Sequence, residues 1–352
     1  MLFVQLVYLA ALTIKILNYR HPQTHLFHSV SIIIASRNEA ENLPRLITML
    51  LNQEHPDFEI IIANDRSEDG STELLDELAR QHAQLKIIHI NKLPGQWTGK
   101  KYALYKAIQQ ASNDILLFTD ADCLPRSNQW IQQMTGGECN DIRIGYSPYK
   151  TKGHLLGMLI HFETLMTAWQ YLGWALWKWP YMAVGRNMAI RKEVYDLNFL
   201  NKIKHLEGGD DDLMLAHLAK QHKVAVNFQK EAQTFSFPEK NWCNYFKQKT
   251  RHLSAGKHYR QKEKTVLSFY MLSYVMSWGL FVWLLANPSV PDHLILAFGI
   301  KSVAYYIMMY VVSRQFNNNF RIWALPLIDA CYVCSVVIVT VRLLFSKKPV
   351  WK

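Results

Sequence analysis

Between residues 28 and 125 the hydrophobic pattern changes period repeatedly. Val30–Ala35, Phe58–Asn64, Leu85–Ile90 and Asp114–Thr119 are short runs rich in branched and aromatic residues, the pattern of strands covered on both faces. Ala40–Leu51, Thr72–His82 and Gly99–Ala111 repeat apolar residues at helical spacing between them. Strand and helix alternating in this order predict an α/β fold. The sheet is expected to be doubly wound and mostly parallel, with right-handed crossovers and ligands beyond the carboxyl ends of its strands.

The pattern after residue 265 is of another kind. Val266–Asn287 has no charged residue in 22 positions, enough to cross a bilayer core at about 1.5 Å per residue. Leu294–Val312 carries only Lys301, and Trp323–Phe345 only Asp329 and Arg342, the latter close enough to an end to snorkel. Two to three transmembrane helices are therefore expected. Met1–Leu17 is shorter, holds Gln5 and Lys15, and has neither a basic start nor a clear cleavage site. A retained anchor is preferred to a removed signal peptide.

Charge sharpens the membrane reading. The formal net charge is +11, and eight Lys or Arg lie between Lys240 and Lys264, interleaved with Trp242, Tyr245, Phe246 and Tyr259. Basic residues abutting a span fit a cytoplasmic membrane-surface segment better than a nucleic-acid site. The same rule places the central domain in the cytoplasm and returns Arg314 and Arg321 to that side. If all three C-terminal segments crossed, Lys347, Lys348 and Lys352 would lie outside, so one segment is expected to be re-entrant or to lie on the surface. The five cysteines form no disulfide framework: Cys123, Cys139 and Cys243 are scattered, and Cys331 and Cys334 read as small buried apolar residues rather than metal ligands.

Polar residues gather where the strands end. Ser36-Arg37-Asn38-Glu39 follows the first, Asn64-Asp65-Arg66-Ser67 the second, and Asp120-Ala121-Asp122 the fourth. Neither Gly-x-Gly-x-x-Gly nor a Gly-Lys-[Ser/Thr] loop follows the first strand, which argues against a dinucleotide site and a P-loop. An Asp-x-Asp pair at the end of a buried strand instead suits a hard cation carrying a diphosphate.

Several of these segments together resemble a known family. Residues 31–43 (SIIIASRNEAENL), 64–72 (NDRSEDGST), 97–104 (WTGKKYAL) and 119–123 (TDADC) are similar to the nucleotide-sugar half of family 2 glycosyltransferases with the GT-A fold. Residues 185–191 (GRNMAIR), 208–213 (GGDDDL) and 248–252 (QKTRH) are similar to the acceptor half, in the family's order. The trailing spans resemble membrane-bound members such as ceramide glucosyltransferases and bacterial enzymes like them. Two positions depart from the family pattern: its Glu-Asp reads Gly209-Asp210, and its Arg-Trp reads Arg251-His252. The expected organisation is an N-terminal anchor (1–20), a GT-A catalytic domain (28–240, with a nucleotide-sugar half 28–125 and an acceptor half 126–240), a basic interfacial segment (241–265) and the transmembrane helices (266–346).

Sugar transfer from a nucleotide diphosphate needs a stabilised leaving group, an activated acceptor hydroxyl and a grip on the nucleoside. Asp122, with Asp120 acting indirectly, would hold Mg2+ or Mn2+, and Lys100 and Arg251 would neutralise phosphate. The resemblance implies that Asp65 accepts from the base edge while Ala35, Arg37 and Glu39 of the first strand and its loop hold the nucleoside. Asp210 or Asp211 would be the general base. Like charge from Asp211 and Asp212 is expected to raise the proton affinity of Asp210, and family spacing to Leu213 selects Asp210. Asn187, Gln248 and His252 are acceptor-side candidates. Plainer roles compete: Asp65 suits a turn with Ser67 and Gly70, and the triplet suits an acidic helix start. His154–Val184, with four tryptophans and few charges, reads as interfacial helices lining an acceptor slot, against a core helix pair.

The expected function is an inverting glycosyltransferase at the cytoplasmic face of the inner membrane. Its donor is a nucleotide sugar, UDP-linked by first choice, and its acceptor a lipid or lipid-linked molecule. The alternatives are a catalytically silent nucleotide-sugar-binding scaffold and a polysaccharide synthase.

Overall fold

The computed structural model describes residues 2–21, 25–137, 141–151, 153–287, 291–318 and 322–345. Cys139, Arg321, Lys347, Lys348 and Lys352 lie outside them. A helix, α1 (Leu2–Leu17), opens the chain. The predicted alternation follows as β1 (Val30–Ser36), α2 (Leu43–Leu51), β2 (Phe58–Asp65), α3 (Ser71–Gln81), β3 (Leu85–Ile90), α4 (Gly99–Gln110) and β4 (Ile115–Phe118). Next come β5 (Leu124–Pro125), α5 (Trp130–Thr135), β6 (Ile142–Gly145), the long α6 (Leu155–Leu176), β7 (Met188–Arg191), α7 (Leu197–Lys202) and α8 (Asp212–Leu218). The chain continues through β8 (Val224–Asn227), β9 (Thr234–Phe235), α9 (Trp242–Ala255), α10 (Gln261–Ala286), α11 (Asp292–Gln315) and α12 (Leu325–Phe345).

These elements form two compact units. The sheet unit comprises Arg20–Lys150 and Lys178–Pro238, and the helical unit Met1–Tyr19, Thr151–Trp177 and Glu239–Lys347. In the sheet unit seven strands run in the order β3-β2-β1-β4-β7-β6-β8, parallel except where β7 pairs with β4 and β6. Val30, Ile32, Ile34, Ile60 and Ile62 are buried against Leu43, Leu46, Ile47 and Leu50 of α2, which is why β1 and β2 read as unbroken apolar runs. Helix α2 starts three residues later than the pattern suggests. Pro44 sits in its first turn, where it needs no donor, and the backbone N–H of Ala40 is bonded to the Asp69 carboxylate instead.

In the helical unit α1 packs against α6, α10 and α11, and α12 against α6, α9 and α10. Gly173 lets Leu12 come close to the α6 backbone: a Cβ there would stand 3.0 Å from the Leu12 side chain. The tryptophans of α6 turn to α1, with Trp169 Nε1 donating to Thr13 Oγ1 (3.2 Å), Trp174 Nε1 to Tyr8 Oη (2.8 Å) and Trp177 Nε1 to the Ala11 carbonyl (3.1 Å). Residues 154–184 therefore hold a single helix, packed on α1 and α12, where the sequence suggested more than one. Much of the aromatic composition that suggested an interface serves helix-to-helix packing, and the three indole N–H groups, that of the exposed Trp177 included, each find a partner on α1.

Helices α10, α11 and the segment Ile322–Leu343 are each long and apolar enough to cross a membrane. Charge inside them is satisfied locally. Asp329 accepts from Tyr274 Oη, Trp278 Nε1 and Tyr306 Oη, and the Lys301 ammonium lies over the rings of Phe298 (5.3 Å), Tyr305 (5.6 Å) and Tyr274 (6.0 Å). Cys331 is only half-buried and Cys334 exposed on α12, so neither is the buried residue expected.

Candidate active site

The register of the sheet decides which strand ends meet. Ser36 pairs with Asn64, and Ile33 with Phe118, so β1, β2 and β4 release their chains at one edge. Strand β7 runs the other way, with Met188 opposite Phe118, and brings the preceding Gly185 and Arg186 to that same edge. The polar clusters that follow the strands thus share one crevice, at the point where the strand order reverses direction between β1 and β4.

Lys100 is the centre of this crevice. Its ammonium lies 3.0 Å from Asp120 Oδ1 and 3.2 Å from Asp210 Oδ2, joining the expected metal-side carboxylate to the expected base. Burial works against its charge, but Asp120, Asp210 and Asp211 outweigh burial and hold Lys100 protonated well above its ordinary range. The next residue, Lys101, points elsewhere, as neighbours on a helix do, about 100° apart. Only 1% exposed, it donates to the carbonyls of Leu206 and Gly208 and anchors the loop that carries the acidic triplet. Both lysines occupy the first turn of α4, where the helix dipole disfavours cations, so the crevice carboxylates supply the compensation.

Asp210 and Asp211 are separated by what they bond. Asp211 is the N-cap of α8: Oδ1 accepts from Asp212 N (2.8 Å) and Oδ2 from Gly185 N (2.8 Å). Asp210 instead turns its carboxylate to Lys100. Sequence reasoning expected like charge to raise the proton affinity of Asp210, and the structure reverses this. Burial favours the acid, but Lys100 and Lys101 together bring Asp210 below the ordinary carboxylate value, whereas burial and the neighbouring Asp210 push Asp211 up. The spacing showed the like charges and not the two ammonium groups.

On the β1–β2 side the loops are laced together. Asn38 N donates to Ser67 Oγ (2.9 Å), Glu68 N to Asn38 Oδ1 (2.9 Å) and Ala40 N to Asp69 Oδ2 (2.9 Å). They border a cleft of about 430 Å³ lined by residues 38–42, Glu68 and Asp69. Glu39 lies in it, its carboxylate accepting from Asn42 Nδ2 (2.6 Å). Ala35 is buried within β1, and Arg37 follows it with its Nε buried and unpartnered among the described residues. Asp65 is fully buried and already engaged by Arg66 through a bidentate pair of 2.8 and 2.9 Å, so any base edge here meets the Asp65–Arg66 pair and not a bare carboxylate.

The acceptor-side candidates divide. Asn187 is fully buried and spends its amide inside the fold, donating to the carbonyls of Tyr146 (2.8 Å) and Ala232 (2.9 Å) and accepting from Trp130 Nε1 (3.0 Å). It has no group left for an acceptor and pins β7 instead. Gln248, Arg251 and His252 belong to the helical unit, along α9. That helix is held by Tyr245 Oη and Lys249 Nζ, each 2.9 Å from Glu163 of α6. A residue missed from sequence takes part in the crevice. Arg186 donates to Ser147 Oγ (2.9 Å), Ser147 O (2.9 Å) and Tyr149 Oη (3.1 Å). Burial opposes its charge, and Tyr149, Cys123, Asp120 and Asp122 hold it cationic. Its place in the 185–191 segment was the available signal.

Asp120, Asp122 and Cys123 place two carboxylates and a thiol within 4.8 Å of one another. Burial first, then Asp122 and Asp120, hold the Cys123 thiol protonated well above its ordinary value, and it donates to Asp122 (3.4 Å). The two carboxylates supply hard oxygen donors. Such a pair fits Mg2+ or Mn2+ and not a thiolate-seeking ion.

Residues 31–138 match the family model of glycosyl transferase family 2. The probable glycosyltransferase YdaM of Bacillus subtilis (strain 168) is 26% identical over 236 residues, which are 63% of this chain and 54% of that protein. A 4,4'-diaponeurosporenoate glycosyltransferase of Staphylococcus aureus (strain bovine RF122 / ET3-1) is 31% identical over 108 residues, 31% of this chain and 26% of that one. The match thus spans about half the length of the first relative and about a quarter of the second. Among solved structures, the mannosyltransferase PcManGT from Pyrobaculum calidifontis, in complex with GDP-Man and Mn2+, shares the fold over 98% of this chain and 99% of that one, with a TM-score of 0.57 at 15% identity. The matched segment forms the β1–β4 half of the sheet and the crevice at its strand ends, so this part of the chain is similar to family 2 glycosyltransferases and the sheet has the GT-A arrangement.

Proposed function

We propose that the protein is a metal-dependent, inverting glycosyltransferase that moves a sugar from a nucleotide diphosphate sugar to a lipid or lipid-linked acceptor at the cytoplasmic face of a membrane. The observation that carries this reading is the Lys100 bridge, which sets a diphosphate-side carboxylate, Asp120, and a base carboxylate, Asp210, on either side of one ammonium. Mg2+ or Mn2+ held by Asp122 and Asp120 would supply charge neutralisation to the departing diphosphate. Lys100 and Arg186 add fixed positive charge beside it. Asp210, ionised and freed from capping by Asp211, takes the acceptor hydroxyl proton as that oxygen bonds to the anomeric carbon. The bond from that carbon to the diphosphate breaks with its electron pair leaving on phosphate, and one displacement inverts the centre.

The GDP-Man and Mn2+ named for the mannosyltransferase, and the 4,4'-diaponeurosporenoate named for the staphylococcal relative, support the same reading. So do three helices long enough to cross a membrane. Full-length protein in detergent, screened with UDP-, GDP- and dTDP-sugars, is expected to gain thermal stability with one nucleotide only when Mn2+ or Mg2+ is present. Asp122→Ala should lose that gain while melting at the metal-free temperature of the parent. Equal metal-dependent stabilisation of both proteins would remove Asp122 from the site.

A further inference from the structure

Beside the carboxylates lies a small cavity of about 10 Å³, lined among others by Lys100, Phe118, Thr119, Tyr195, Asp210 and Asp211. That is about the room of one water molecule. Two of these residues carry hydroxyls that find no partner among the described residues, Thr119 Oγ1 and Tyr195 Oη. Thr119 is 3% exposed and Tyr195 7%. A buried hydroxyl left unpaired costs roughly 1–3 kcal/mol, and Val and Phe would fill the same shapes without that cost. Both side chains are held by regular structure. Thr119 follows β4 directly, its N–H bonded to the Ile33 carbonyl (3.3 Å), and Tyr195 stands in the turn after β7 with its ring stacked on Phe118 (centroids 5.6 Å apart). Strands β4 and β7, antiparallel neighbours, thus each bring one residue with an unsatisfied hydroxyl to the lining of a water-sized space beside the carboxylates.

We propose that Tyr195 and Thr119 hold one buried water against the Asp210–Asp211 carboxylates and Lys100, and that this water fixes the Asp210 carboxylate in the position from which it takes the acceptor proton. The role assigned to the water rests on the reading of Asp210 as base; the hydration site does not. The chemistry of the lining is suited to one water. Its oxygen accepts from the two hydroxyls, and its two hydrogens reach carboxylate oxygens left over from other bonds. Asp211 has one lone pair on each oxygen committed to backbone N–H groups, and Asp210 Oδ2 faces Lys100. Tyr195 and Thr119 are positioning residues, since neither touches a reacting atom.

Two measurements on the full-length protein test this. A map resolving ordered waters is expected to show one within hydrogen-bonding distance of Tyr195 Oη and Thr119 Oγ1, and to lose it in the Tyr195→Phe, Thr119→Val double variant. An empty cavity in the parent protein overturns the proposal. In the transfer assay, Tyr195→Phe and Thr119→Val should each lower kcat about two- to tenfold, the worth of one hydrogen bond between neutral groups, with donor KM within about twofold. Thr119→Ser should restore kcat. A loss shared by kcat and donor KM, or a Thr119→Ser variant as slow as Thr119→Val, assigns the two residues to packing and also overturns it. A parent protein that holds the water yet transfers from no donor keeps the hydration site and rejects the transferase reading, so the two fail separately.

Discussion

At the scale of single residues, the acidic triplet shows how adjacent carboxylates acquire different work. Asp211 is bound to two backbone N–H groups and caps α8, so its loss should act on stability, by about 1 kcal/mol as for other N-caps. Asp210 is paired with Lys100 and keeps the freedom to take a proton. Asp210→Asn is therefore expected to lower turnover by about two to four orders of magnitude with donor affinity unchanged. Asp211→Asn keeps one capping oxygen but can no longer accept from both Asp212 N and Gly185 N, so it should melt slightly earlier and retain most of its turnover. The measurement is kcat beside a melting curve for each variant, and the reverse pattern would shift the base by one position. Gly209, where the family pattern has Glu, belongs to the same loop: its φ is +79°, and a Cβ there would come within 2.7 Å of the Leu213 side chain. Glycine suits that turn, and restoring Glu would strain it.

At the scale of elements, β1, β2 and the start of β4 are tied by one buried carboxylate. Glu59 accepts from Ser31 Oγ (2.5 Å), Ser112 N (2.7 Å) and Ser112 Oγ (2.9 Å), and pairs with Lys86 (2.5 Å). Burial favours the acid form, yet Lys86, Ser31 and Ser112 outweigh it and bring Glu59 down to about 2. Because the folded value lies below the unfolded one, this contribution is fully present above about pH 4.5 and lost as pH falls toward about 2. Glu59→Gln should cost on the order of 2 kcal/mol at neutral pH. The difference in melting temperature between the two proteins should shrink as pH falls through that window. A gap that stays constant to pH 2 would show that Glu59 acts through packing alone.

At the scale of the whole molecule, the helical unit is assembled from distant parts of the chain. Leu9, Leu12 and Ile16 of α1 are buried, and α1 packs against α11 while α6 packs against α12. A chain ending at Lys264 keeps every strand but removes those partners and exposes their apolar faces. It is expected to bind nucleotide, through the sheet, and to elute from gel filtration as an aggregate or stay with the membrane fraction. A monodisperse soluble monomer would show that the α1–α6 pair does not need the C-terminal helices.

Local pattern by itself determined the alternating half of the fold, because strands covered on both faces leave continuous apolar runs and helices leave a 3.6-residue period. Val30–Ala35 and Phe58–Asn64 are β1 and β2 to within a residue, and the long apolar runs after residue 265 are α10 to α12. Residue types at strand ends also carried Asp120 and Asp122 to the carboxyl edge of the sheet, since parallel strands release their chains at one edge, whereas Lys100 and Asp210, at the starts of α4 and α8, were named from the family resemblance. What required the tertiary structure were the contacts between segments far apart in sequence. The Asn187 amide is spent on Tyr146, Ala232 and Trp130, and the tryptophans of α6 on α1, neither of which leaves a mark on local sequence. The charge state of Asp210 was decided the same way: its neighbours in sequence are carboxylates, but its neighbours in space include Lys100 and Lys101, and electrostatic free energy depends on distance through the fold and not on position along the chain.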